Sequence, residues 1–233
     1  MSVPAAPSPW GPRWSRWLGV FLAKVLWRTE VRGGRSFPRR GAVIVVCNHV
    51  GLIDGPVLHG VIPRPSHFLI REGMMTGPLG ALLTAAQQIK VSGSGREALA
   101  QGLAVLRRGG VVGVFPEGTR GAGTAEAVHG GAAWLAVQSG ATVVPAAIIG
   151  SRRTGERVSV WPRPGRRLLV AFGEPLDVTP PPDVRGGRAK QAWAAARLGE
   201  ALRDQVARTL ESTDLELPLD DPRRDGASQK EIR

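Results

Sequence analysis

The sequence predicts an α/β fold: a mixed, mostly buried sheet flanked by helices, with an amphipathic helix at the amino end. Two observations predict it. The apolar stretches Ala42–Val46, Val111–Phe115, Thr142–Gly150 and Leu168–Phe172 are nearly continuous. That is the signature of strands covered on both faces, since a half-exposed strand alternates apolar with polar residues. Between them run segments with apolar residues at helical spacing, bounded by glycine and proline. Strands alternating with helices give layered α/β architecture. The 233 residues suffice for one such domain with a sizeable core, and no internal repeat or long linker divides them.

Residues 1–11 are rich in Pro, Ala and Ser and read as disordered. Residues 12–30 follow as a helix with Trp14, Trp17, Leu18, Phe21, Leu22 and Val25 on one face, flanked by Arg13, Arg16, Lys24 and Arg28. The run from Trp17 to Ala23 is too short to span a bilayer and lacks a small-residue cleavage site. Tryptophan and phenylalanine on one side with arginine and lysine around them suit a helix lying in a membrane surface. The alternative is a helix packed on its own domain.

The domain proper takes residues 31–211. Val31 to Pro38 is a short strand and turn, and Gly55-Pro56 fits the first turn of a helix. Phe68–Ile70 is a short strand, Ala81–Gln87 a helix opened by Gly77-Pro78, and a further short strand carries Gln88 and Lys90. Glu97–Arg108 is a helix with Leu99, Leu103 and Leu106 inward, ended by Gly109-Gly110. Ala125–Ser139 is another, closed by Gly140. The strand from Thr142 is expected to be interrupted at Pro145. Arg188–Leu210 is a last amphipathic helix, with Trp193, Leu198, Leu202 and Val206 on its apolar side, and residues 212–233 read as a disordered tail of mixed charge.

Net charge is +12 and almost all of the basicity is arginine, with lysine only at 24, 90, 190 and 230. Such a chain seeks anionic surfaces: acidic lipid, nucleic acid or a phosphorylated substrate. Cys47 is the only cysteine, so there is no intrachain disulfide and no thiolate metal site. It reads as a small buried strand residue. No His/Cys/Asp cluster has ligand spacing, and no metal is expected.

Two strand ends carry chemistry. The first delivers Asn48 and His49, with Asp54 five residues on. A carboxylate beside an imidazole fixes its tautomer and stabilises the imidazolium formed on taking a proton, which makes a general base. Residues five apart on a continuous helix point about 140° away from each other, so the pair needs a loop or a helix start. A structural histidine at a strand end is the competing reading. The second strand runs into Phe115-Pro116-Glu117-Gly118-Thr119-Arg120. Gly118 allows close approach of a ligand, and Arg120 offers a planar fork suited to phosphate.

Asn48-His49-x4-Asp54 followed by the Phe115–Arg120 hexapeptide resembles the glycerolipid acyltransferases, whose best-known members make phosphatidic acid from lysophosphatidic acid. The blocks Val144-Pro145 and Phe172–Leu176 are similar to that family too, so the resemblance covers roughly Trp14 to Leu210. It implies acyl transfer from a thioester of coenzyme A or acyl carrier protein to a lysophospholipid hydroxyl, with no cofactor. His49 would be the base and Asp54 its orienting partner, with a backbone N–H near Gly118 at the oxyanion. Glu117, Gly118, Thr119 and Arg120 would bind the acceptor phosphate. It also implies a membrane partner, an anionic lipid surface on the cytoplasmic side. One block departs from the pattern: Gly93 stands where the family usually has arginine, and Lys90 and Arg96 are the nearby cations that would substitute.

Other readings are weaker. Gly93-Ser94-Gly95-Arg96-Glu97-Ala98 fits a dinucleotide fingerprint loosely, but the strand before it is too polar. His129-Gly130-Gly131 resembles a lipase oxyanion loop, yet no G-x-S-x-G nucleophile motif exists. A non-enzymatic basic protein docking on membrane or nucleic acid accounts for the charge but not for both motifs at strand ends in this order, and no nucleic-acid partner is expected.

Overall fold

The computed structural model describes residues 5–116 and 130–221. The chain opens with α1 (Trp10–Phe21), one π-helical turn (Leu22–Leu26) and β1 (Arg28–Arg32). Next come β2 (Val43–Cys47), α2 (Asp54–Val61), β3 (Ser66–Arg71), α3 (Gly77–Ala85) and β4 (Ile89–Val91). Then follow α4 (Arg96–Arg107), β5 (Val111–Val114), α5 (Gly130–Ser139), β6 (Thr142–Ile149), β7 (Arg167–Phe172) and α6 (Gly187–Glu211). Among the described residues the strands make one seven-stranded sheet in the order β1-β7-β6-β2-β5-β3-β4. All neighbours are parallel except β6 and β7, so β7 and β1 run against the other five. The sheet is thus mixed and helix-flanked, as expected.

Alternate residues of each central strand enter two separate cores. Val43, Val45 and Cys47 pack with Val57 and Leu58 of α2 and with Ala23 and Trp27. Ile44 and Val46 pack with Leu103 and Leu106 of α4, Leu135 of α5 and Leu198 of α6. Burial on both faces is why these strands read as unbroken apolar runs.

β6 is not interrupted. Pro145 lies in register with Val46 of β2, while β7 pairing begins only at Ala146↔Phe172. The Pro145 carbonyl accepts from Gly173 N. Its missing N–H therefore falls on the β7 side, just past the end of that strand, where no ladder bond is lost. The start of α5 expected at Ala125, with His129, lies outside the described residues.

The amino-terminal helix differs from expectation in where it begins. It starts at Trp10, and Gly11, read as part of a disordered flank, is buried: a Cβ there would stand 2.6 Å from the Ala86 backbone. Ser8 N donates to Gln87 Oε1 at 3.0 Å. The face turned to the domain is the small one, Gly11, Ser15 and Gly19. A Cβ on Gly60 of α2 would lie 2.2 Å from the Gly19 carbonyl carbon, so these two helices touch backbone to backbone.

Ser15 Oγ donates to Gly11 O at 2.9 Å, which leaves it to accept from His59 Nε2 at 2.9 Å. His59 Nδ1 then accepts from Ser66 Oγ at 3.0 Å. Burial, helped by Arg16 and His67, pushes His59 down to about 4, so this joint is neutral. His67 is likewise satisfied, donating to Gln87 O and accepting from Arg108.

The large apolar residues of α1 point outward. Trp17 is 70% and Val25 71% exposed, with Trp10, Trp14 and Phe21 beside them. No helix among the described residues is long and apolar enough to cross a membrane. At the other end, residues 212–221 do not behave as the expected disordered tail: Arg32 donates to Ser212, and Asp220 pairs with Arg152 at 2.7 Å.

Candidate active site

The carboxyl ends of the adjacent strands β2 and β5 meet at His49. After Cys47 the chain turns through residues 48–53, with Asp54 N donating to Gly51 O, and enters α2 at Asp54. This turn solves the five-residue spacing that a continuous helix would not. His49 Nδ1 lies 2.8 Å from Asp54 Oδ2. A carboxylate only accepts, so Nδ1 carries the proton and Nε2 presents a lone pair. The same Oδ2 accepts from Val50 N at 2.7 Å and Gly51 N at 2.8 Å. Asp54 is fully buried at a helix N-terminus, whereas the His49 side chain is 14% exposed. The imidazole stacks on Phe115, centroids 4.1 Å apart at 17°. One nitrogen is thus tied to a carboxylate, the ring plane is fixed, and the second nitrogen is left to take a proton.

Three residues around the pair had no sequence assignment. Asn48, fully buried, donates through Nδ2 to Ile148 O at 3.1 Å, and its Oδ1 accepts from Ile148 N at 2.8 Å. Its amide thereby continues the β2–β6 ladder one residue beyond β2; a polar residue directly after an apolar run was the available signal. Phe115 packs on the base. Arg152, buried after β6, donates through Nε to Val50 O at 3.1 Å; its neighbour Ser151 lies against Gly51. Among the described residues Asp54 Oδ1 and Ser151 Oγ are buried without a hydrogen-bond partner.

The expected acceptor-binding residues are placed less uniformly. Glu117, Gly118, Thr119 and Arg120 lie outside the described residues. The chain leads into them from Phe115 and Pro116, directly beside His49. Lys90 and Arg96 are not brought to the base. Lys90 sits on the outermost strand β4, three strands from β2, about 14 Å at ordinary strand spacing, and it pairs with Glu72 at 3.2 Å. Arg96 opens α4 beyond it and is exposed. Gly93 has φ +52° and no atom within 4 Å of a built Cβ, so the position of the missing arginine is open and left-handed. Arg71, which ends β3, is exposed and one strand nearer to β2 than Lys90. It is a cation that sequence spacing alone did not single out. The glycine turn before α4 lies at the sheet edge after a three-residue strand, and among the described residues no His/Cys/Asp/Glu group has the arrangement of a metal site.

Comparison with known proteins follows the same lines. Residues 28–149 match the acyltransferase family. A 1-acyl-sn-glycerol-3-phosphate acyltransferase of Bacillus subtilis (strain 168) is 28% identical over 159 residues, covering 63% of this chain and 76% of that protein. An uncharacterised protein of Mycobacterium tuberculosis is 31% identical over 145 residues, 56% of this chain, but the chain spans only 40% of that protein's length. Among solved structures, the 1-acyl-sn-glycerophosphate (LPA) acyltransferase of Thermotoga maritima superposes with a TM-score of 0.62, covering 83% of this chain and 78% of that one. Its 21% sequence identity makes this a likeness of fold. A family match over more than half the chain, on a sheet whose β2 runs through a turn into α2 to assemble a His–Asp pair, leads to one conclusion: the chain belongs to the acyltransferase family and is an O-acyltransferase.

Proposed function

We propose that the chain transfers a fatty acyl group from a thioester of coenzyme A or acyl carrier protein to the hydroxyl of a lysophospholipid. The preferred acceptor is 1-acylglycerol 3-phosphate, which yields phosphatidic acid. The observation that carries this is His49, with Nδ1 bonded to Asp54 and Nε2 left as a proton acceptor. His49 Nε2 takes the proton of the acceptor hydroxyl as its oxygen attacks the thioester carbonyl. The tetrahedral oxyanion, met by a backbone N–H near Gly118, collapses with cleavage of the C–S bond. The departing thiolate takes the proton back from the imidazolium. No acyl-enzyme intermediate and no cofactor are required. Similarity to the Bacillus enzyme supports the acceptor class.

Glu117, Gly118, Thr119 and Arg120 bind the acceptor phosphate in this reading, with Arg120 as its principal ligand. Lys90, three strands from β2 and paired with Glu72, has at most a peripheral part, and Arg96, at the start of α4, assists if either does. The deciding experiment is an acyl-transfer assay on purified protein with a panel of lysophospholipids and phosphate-free analogues. Arg120→Lys keeps the charge but loses the bidentate fork. It is expected to raise KM about tenfold for phosphate-bearing acceptors and to leave a phosphate-free analogue unchanged. Equal slowing of both would remove Arg120 from the phosphate site. Salt-sensitive nucleic-acid binding without any acyl transfer would instead favour a basic binding protein.

The lipid acceptor places the enzyme at a membrane, peripherally or monotopically on the cytoplasmic face where thioester donors are found. The outward face of α1 supports this, and so does Trp161, 54% exposed and 5.0 Å from the Trp27 ring. β1 runs antiparallel to β2, so the helical segment before it ends at the same end of the sheet as His49, beside the loop of Trp161. Deleting the helix is not a clean test, because Ala23 and Trp27 are core residues. Substituting Trp14, Trp17 and Phe21 together by serine leaves the Gly11–Ser15–Gly19 face intact. At about 1 kcal/mol or more per ring, binding to phosphatidylglycerol vesicles is expected to fall roughly 100-fold. High salt should weaken wild-type binding only in part, since burial of rings is not screened. Wild-type co-sedimentation of the triple variant would reject the membrane role.

A further inference from the structure

We propose that Arg152 is a positioning residue for the His49–Asp54 pair, held at its post from the carboxyl-terminal segment by Asp220. Arg152 lies just beyond β6 and is fully buried. Its Nε donates to Val50 O at 3.1 Å, Nη1 donates to Asp220 Oδ2 at 2.7 Å and to Glu156 O at 3.1 Å, and Nη2 donates to Asp220 O at 2.9 Å. Val50 follows His49, and its N–H is one of the two backbone donors on Asp54 Oδ2. The Val50 residue is therefore gripped from both sides, its N–H by Asp54 and its carbonyl by Arg152. Releasing the carbonyl frees the turn that aims the imidazole.

A buried guanidinium needs a carboxylate, because an unpaired charge in the interior is strongly unfavourable. The nearby Glu156 carboxylate is engaged by Arg166. Asp220 reaches Arg152 across 68 residues of sequence. It is delivered by a segment with further fastenings. Leu219 N donates to Thr154 Oγ1 at 3.0 Å, Gly155 N donates to Asp220 Oδ1 at 3.3 Å, and Arg167 forks onto Asp214. Residues 214–220 thus strap the loop after β6 against the catalytic turn. The chain is Asp220 to Arg152 to Val50 O, and from Val50 N to Asp54 and His49.

This inference rests on His49 being the base, and its test separates the two. Two full-length variants are compared with wild type. Arg152→Lys keeps a charge for Asp220 but loses the Nε–H bond to Val50 O. Asp220→Ala removes the carboxylate, and with it the bond from Gly155 N, but leaves Leu219 N on Thr154 and Arg167 on Asp214. Both are expected to lower kcat about tenfold with KM for palmitoyl-CoA and lysophosphatidate within about twofold, as a misplaced base does. Amide exchange at Val50 and Gly51, followed by NMR without substrate, should rise while that of Ile44–Val46 stays fixed. In a His49→Ala background neither variant should reduce the residual rate further. Wild-type kcat and unchanged Val50 and Gly51 exchange in Arg152→Lys overturns the proposal. Exchange rising equally through the whole sheet overturns it too, since Arg152 then only braces the fold. If the wild type fails to acylate lysophosphatidate, the acceptor assignment falls and the exchange measurement still decides the role of Arg152.

Discussion

His49→Ala is expected to lower kcat by ~10²–10⁴-fold, the usual contribution of a positioned general base, while the protein stays folded. The ring holds no core position: its side chain is 14% exposed, and among the described residues it bonds Asp54 through Nδ1 and stacks one face on Phe115. Its loss leaves Asp54 Oδ2 with two of its three donors, Val50 N and Gly51 N, so the turn keeps its shape. Donor binding should be unaffected, and KM for the thioester should stay within about twofold. Steady-state kinetics with a melting curve check this. Near-wild-type turnover in a folded His49→Ala protein would sink the base assignment, whatever its acceptor. His59 and His67 are fully engaged in structural hydrogen bonds and should not show this pattern.

What the sequence made legible, and what it did not, divides along physical lines. The central strands were readable because burial on both faces forces continuous apolar residues, as in Val43–Cys47 and Val111–Val114. β1, Arg-Thr-Glu-Val-Arg on the sheet edge, carries no such run and was only partly found. The His49–Asp54 pair was legible because its residues are close in sequence and both flank a strand end. Arg152 was not, since its partners Val50 and Asp220 lie 102 and 68 residues away. The docking face of α1 was not named from the sequence, for a different reason. Periodicity weights large apolar residues, and here the inward face is glycine and serine at four-residue spacing, chosen for backbone approach to Gly60. Lys90 and Arg96 illustrate the same limit: nearness to Gly93 along the chain is not nearness to His49 when β4 is the outermost strand.

Asp54→Asn is expected to cost as much activity as losing the base, ~10²–10⁴-fold in kcat, and a comparison with Asp54→Ala shows why. Asp54 Oδ2 gathers three donors, while Oδ1 is buried and, among the described residues, unpartnered. An asparagine can put its carbonyl oxygen only at the Oδ2 position, because its NH2 there would face three N–H groups. The turn and the His49 tautomer are then retained, and what disappears is the negative charge that stabilises the imidazolium as the acceptor proton arrives. The melting temperature should move by a few degrees only. Alanine removes the acceptor altogether. Val50 N and Gly51 N, both in buried residues, lose their partner at roughly 1–3 kcal/mol each, so Asp54→Ala should be inactive and markedly less stable. The pair of variants separates two roles of one carboxylate. If Asp54→Asn keeps wild-type kcat while Asp54→Ala loses both activity and stability, the side chain is a brace for the turn and its charge has no part in the reaction. If both lose kcat and only alanine loses stability, the charge acts on the imidazolium and the brace is a second, independent function of the same oxygen.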